Sequence, residues 1–254
     1  MLGFSNRVFN MWACRARCAI LVLALWAGLP ASGQAGDLAD FNTAIETVSA
    51  HNRVAIGYLR TGNDDLASLE LDRLREAWSK LTARFAGKRP DAFDGNPLYG
   101  SLMTTTSARL VAADMMLKSG RPEIAGQSLA ALRGDFYDLR KASGIVVLAD
   151  CVRDANAAMD ALMVYNDRAL DFSKPETRFA VANTSSVYSY VLSRCDSTAG
   201  DAVRRNPEFR RLVDGAQASL ALIPKAIATR DADLLHRVLI ELRSFDHLLA
   251  FRFG

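Results

Sequence analysis

Histidines and cysteines are the side chains here best suited to hold a metal, a haem or a redox centre. The chain has three histidines, His51, His236 and His247, and four cysteines, Cys14, Cys18, Cys151 and Cys195. His236 and His247 stand 11 residues apart on one expected helix, about three turns or 16 Å along its axis, too far to grip one metal ion together. They share a helix face with Ile240 and Arg243. His51 lies on a different expected helix and can join either only through a tertiary contact. His51, His236, His247 and Arg243 are therefore the candidate ligand-binding residues. No metal ligand set and no catalytic residue is assigned. The sequence has no Gly-x-Ser-x-Gly elbow, no His-Glu-x-x-His pair and no phosphate-binding glycine loop, so the common hydrolase, metalloprotease and nucleotide chemistries have no motif to rest on. Carboxylates such as Asp64, Asp65, Asp231 and Asp233 stand at expected helix starts, where capping and the helix dipole account for them. The expectation is a protein that is not an enzyme.

Cys151 and Cys195 are predicted to form a disulfide. The turn of the hairpin that carries them centres on residue 173, and each cysteine lies 22 residues from it. Equal distances place the two at one height on antiparallel helices, where their side chains can meet. The bridge would close a loop of about 45 residues and contribute roughly 4 kcal/mol by restricting the unfolded chain. Neither cysteine belongs to a Cys-x-x-Cys motif, which leaves a structural role ahead of a redox one.

A disulfide needs an oxidising compartment, and the first 35 residues read as the means of reaching one. Arg7, Arg15 and Arg17 precede a 12-residue apolar run from Cys18 to Leu29, then Pro30 and the small residues up to Ala35. The run spans about 18 Å as a helix, short of the roughly 30 Å hydrocarbon core of a bilayer. It reads as a signal peptide cleaved near Ala35 rather than as an anchor, and the mature chain is expected in the periplasm. Cleavage removes three of the 31 basic residues and none of the 28 acidic ones. The mature chain is then balanced in charge, which gives no reason to expect nucleic acid or a membrane as partner.

The elements that position these side chains are helices throughout. Leu38, Phe41, Ile45, Val48, Asn52, Ala55 and Leu59 recur at three- and four-residue spacings, as do Ala67, Leu71, Leu74, Trp78, Leu81 and Phe85. Each set is one face of a helix. Further helices are predicted from Asn96-Pro97 to Lys118, from Pro122 to about Lys141, from Ile145 to about Leu170, from a Ser173/Glu176 capping box to about Cys195, from Asn206 to Thr229, and from Asp231 to about Phe251. No segment alternates as a strand would. The fold class is all-α: about eight antiparallel helices arranged as four helical hairpins, which can pair as two tandem four-helix bundles. The expected division is a targeting segment, 1–35, a first pair of hairpins, 36–143, and a second pair with the disulfide, 144–254, which can also be one continuous domain. Gly62, Gly120 and Arg230 fall in register at turns, and 13 residues after each stands a Leu-Arg pair, Leu74-Arg75, Leu132-Arg133 and Leu242-Arg243. That spacing suggests a helical repeat longer than the tetratricopeptide kind.

The helix pattern resembles four-helix cytochromes of the c-prime and b562 kind, and exported bacterial all-helical proteins more generally. The c-prime kind attaches haem through Cys-x-x-Cys-His near its C-terminus, whereas this chain reads Leu242-Arg243-Ser244-Phe245-Asp246-His247 there, without a cysteine. The b562 kind pairs an early Met with a late His. The first helix here has no Met, so His51 would have to act with His247 or His236. The leading expectation is a periplasmic binding or interaction module without cofactor, taking a protein segment or a small ligand between its helices. The alternative is a carrier of non-covalent haem or metal.

Overall fold

A computed structural model describes residues 33–166 and 170–254. The expected targeting segment lies outside the described residues as far as residue 32. Among the described residues there is no strand, and the fold is all-α. No described helix is long and apolar enough to cross a membrane.

Helices α1 (Gly33–Arg60) and α2 (Asp64–Phe85) form the first pair. The apolar spacing in the sequence is the buried face: Phe41, Ile45, Val48 and Ala55 of α1 and Leu71, Leu74, Trp78, Leu81 and Phe85 of α2 are shut from solvent. Each buried large side chain contributes about 1.5–3 kcal/mol of hydrophobic stabilisation. Asp40 near the start of α1 pairs with Arg84 near the end of α2, and His51 meets Glu70 at their middle, so the two run in opposite directions. A short 3-10 turn, Asp91–Phe93, leads to α3 (Pro97–Lys118) and α4 (Pro122–Ala142). These four helices close a ring, α1 on α2, α2 on α3, α3 on α4 and α4 back on α1. Phe41, Phe85, Phe93 and Tyr99 gather at one end of its core, with Phe41 ring centroids 5.1–5.7 Å from the other three.

Helix α5 (Leu148–Met163) and helix α6 (Pro175–Thr198) are joined by the Cys151–Cys195 disulfide, with Cα atoms 5.3 Å apart. A four-residue helix α7 (Asp201–Arg204), then α8 (Pro207–Leu220), α9 (Ile223–Thr229) and α10 (Ala232–Phe253) complete the chain. A second ring forms from α5, α6, α8 and α10. The buried apolar side chains fall into two clusters, one drawn from residues 41–139 and the other from 151–249.

Several boundaries differ from those the sequence predicts. The helix expected from Asn206 to Thr229 is broken after Leu220, because Pro224 has no N–H and its ring opposes the carbonyl four residues back. Helix α5 starts at Leu148 rather than Ile145, since Val147 is extended, a conformation its branched side chain favours. It ends at Met163 rather than Leu170. The Ser173 capping box does not form: Ser173 donates instead to Asp171 Oδ1 at 2.5 Å, and Lys174 occupies the cap position without a side-chain bond. Asn96, Asn206 and Asp231 do cap, accepting from Leu98 N, Glu208 N and Leu234 N at 2.9, 2.8 and 2.7 Å.

Candidate functional site

One face of α1, α4, α5 and α10 is left where the two rings meet, and it encloses a cleft of about 380 Å³. Helical spacing aligns its lining. Asn52, Ile56 and Arg60 recur every fourth residue on α1, with Arg53 beside them. Arg133 and Arg140 are two turns apart on α4, with Phe136 between. Asn156 and Asp160 are one turn apart on α5, and Arg243, His247 and Phe251 repeat along α10. The volume lies in the range of small-molecule sites.

Asn52, the polar member of the α1 stripe, is buried and donates from Nδ2 to the Leu129 carbonyl of α4 at 3.1 Å. This bond fixes the α1–α4 wall. Across the cleft a chain of polar contacts links the rings. Arg133 Nη1 donates to Asn156 Oδ1 at 2.8 Å, and Asn156 Nδ2 donates to Asp246 Oδ1 at 2.9 Å. Arg243 joins Asp246 Oδ2 at 3.4 Å and Asp160 at 2.7 Å. Arg53 pairs with Glu46 at 2.7 Å and donates to a main-chain oxygen of Gly254, the last residue of the structure. Arg140 is buried and gripped by Asp150 through two bonds of 2.8 and 2.5 Å.

Two groups are poorly compensated. Arg133 Nε and Nη2 are closed to solvent and have no hydrogen-bond partner among the described residues. Burial, with the neighbouring charges of Arg153 and Arg53, lowers the pKa of Arg133, and Asp246 and Asp150 only partly oppose this. Asp246 is 1 % exposed. Burial raises its pKa above the usual carboxylate range, against the opposing effects of the Asn156 bond and of Arg243. The cleft therefore holds a guanidinium with unused donors and a carboxylate that resists ionisation.

Of the residues singled out in the sequence, Arg243 and His247 line this cleft. His51 does not. Its Nδ1 lies 2.5 Å from the buried Glu70 carboxylate, whose other oxygen takes Arg73 at 2.9 Å. His236 is exposed on a separate groove with Tyr165 and Asp171. No cleft brings the three histidines together, and among the described residues no group of three or more His, Cys, Asp or Glu is placed to hold a metal ion. Sequence reasoning missed Arg53, Arg60, Arg133, Asn156, Asp160 and Asp246. One signal was present: Arg133 and Arg243 share a register after their turns, and both reach the cleft. Arg75, the third member of that register, stands apart with Asp72 and Asp114. The chain matches no family model, no curated protein and no solved structure.

Proposed function

We propose that the mature chain is an exported binding module, and that its ligand is a small anion held in the cleft between α1, α4, α5 and α10. The observation that carries this reading is the gathering of Arg53, Arg60, Arg133 and Arg243 along one cleft: Arg133 is kept from water with two of its donors unpartnered, a costly arrangement that a negative charge held nearby offsets. Arg60, at the exposed rim, has no ion pair among the described residues and offers a second attraction at the mouth. Fixed cations beside apolar wall suit retention of a ligand. The expected targeting segment, together with a disulfide that needs an oxidising compartment, supports reading the periplasm as its place of work.

A thermal-shift panel on the mature protein tests the reading. At least one small anion among benzoate, octanoate, citrate and inorganic phosphate should raise the melting midpoint saturably, and Arg133→Met should abolish the effect. Silence from every anion, or an equal response to neutral analogues, overturns it. Intact mass of protein recovered from the periplasm tests export: the chain should begin at Gly36 and lack two hydrogens at Cys151 and Cys195.

A further inference from the structure

Gly254 sits inside the cleft that it helps to line. Helix α10 makes its last turn at Phe253, and the Gly254 N–H donates to the Ala250 carbonyl at 3.2 Å. Phe251 and Arg252 just before it are exposed, yet Gly254 is buried. The chain therefore turns inward after α10, from the second ring onto the arginines of the first.

Two contacts define this seat. Arg53 of α1 donates to a main-chain oxygen of Gly254. A Cβ added to Gly254 would stand 3.0 Å from Arg133 Nη2 and 2.6 Å from the Ala250 carbonyl oxygen, so no other residue fits there without a shift. Arg133 Nη2 is one of the donors without a hydrogen-bond partner among the described residues. Gly254 thus covers Arg133 while its oxygen is spent on Arg53. Closing a donor from water without bonding it is unfavourable, and a small anion in the same place relieves it by offering oxygens to both guanidiniums. Both arginines have anchors besides Gly254: Glu46 holds Arg53 at 2.7 Å, and Asn156 holds Arg133 at 2.8 Å. The Phe253 ring, packed edge-on against Phe209 at 5.1 Å, keeps α10 docked when Gly254 leaves its seat.

On the reading that an anion binds in this cleft, we propose that Gly254 is a displaceable plug: it occupies the anion's place between Arg53 and Arg133, and anion binding expels it. The apparent dissociation constant is then the intrinsic one divided by the fraction of molecules with the plug out. Whatever loosens Gly254 tightens the anion.

Isothermal titration of the mature wild-type protein and of Gly254→Ala with benzoate, citrate and inorganic phosphate tests the plug. The added methyl meets a backbone oxygen at 2.6 Å, so residue 254 must leave its seat, while Arg53 and Arg133 keep Glu46 and Asn156. Gly254→Ala should bind at least one of these anions about threefold or more tighter than wild type does. Binding that is equal or weaker in the variant overturns the plug and leaves the anion cleft standing. If none of the three binds either protein, the cleft reading fails as well. Amide hydrogen exchange at Gly254, followed by NMR in isotope-labelled wild type, is a second readout. A saturating anion should speed that exchange, because the bond to Ala250 is lost with the seat. Slower exchange would mean that Gly254 stays in place beneath the ligand, which also overturns the plug.

Discussion

Buried ionisable groups dominate the cleft, and each has a consequence that a single substitution isolates. Asp246 has a raised pKa in the folded protein, chiefly from burial. A raised carboxyl pKa favours folding fully only below the unfolded value, near pH 4, and that contribution is lost as pH rises through the folded value. The unfolding free energy of the wild-type protein should therefore fall, relative to Asp246→Asn, as pH rises from about 4; denaturant titration along a pH series measures the difference, and a flat difference refutes the assignment. Arg140 and Asp150 make the opposite case, a buried pair with both partners satisfied. Arg140→Ala leaves Asp150 buried without its partner and should cost about 3–5 kcal/mol. Replacing both with apolar residues of similar size should cost much less. Little of this residue-scale chemistry was legible beforehand. Arg243 and His247 stood out because they share a helix face, but nothing local distinguishes Arg133, whose unused donors arise only where α4 meets Asn156 of α5 and Gly254.

Helix by helix, the sequence was far more informative, because capping and stripe formation are local. The α2 stripe from Ala67 to Phe85 is buried at each position the spacing marks, and Asn96, Asn206 and Asp231 cap where expected. The failures are also local. Pro224 breaks a helix whose apolar periodicity runs on, and Ser173 prefers Asp171 to its own helix. Gly62, Gly120 and Arg230, aligned in the sequence, all adopt left-handed backbone, with φ of 72°, 70° and 55°. For an arginine that conformation costs about 1–2 kcal/mol, so Arg230→Gly should stabilise the protein by about 0.5–1 kcal/mol, read as a rise in denaturation midpoint. Two helix-interior glycines should respond with opposite sign. A Cβ on Gly134 of α4 meets nothing within 4 Å, whereas one on Gly215 of α8 would stand 2.6 Å from the Phe245 ring of α10. Gly134→Ala should gain about 0.5–1 kcal/mol from helix propensity. Gly215→Ala should lose about 1–3 kcal/mol by pushing Phe245 out of the α8–α10 seam. Equal effects would show that this seam yields to the added methyl.

At the scale of the whole molecule, two apolar cores meet across a polar seam. Within each ring the packing is aliphatic and aromatic. Between the rings it is Arg133 on Asn156, Arg53 on a main-chain oxygen of Gly254, Arg140 on Asp150, and Arg153 stacked 3.8 Å above the Tyr137 ring. Such polar contacts hold packed units together less tightly than a shared apolar core does. Helical periodicity can announce each core but not the seam, because the seam depends on which helix faces of two hairpins end up opposite one another. The Cys151–Cys195 bridge lies wholly inside the second ring. Its loss should cost that ring about 2–4 kcal/mol and leave the first nearly untouched. Calorimetry of the Cys151→Ser/Cys195→Ser variant should then resolve two transitions, of which only one has moved. Hydrogen exchange should place the early opening in residues 148–254, with protection retained from Phe41 to Leu139. An anion bound in the cleft between α1, α4, α5 and α10 touches both rings, so it should draw the two transitions together as it saturates. A single transition that shifts as a whole when the bridge is removed would mean that the polar seam couples the two cores as firmly as buried apolar surface would.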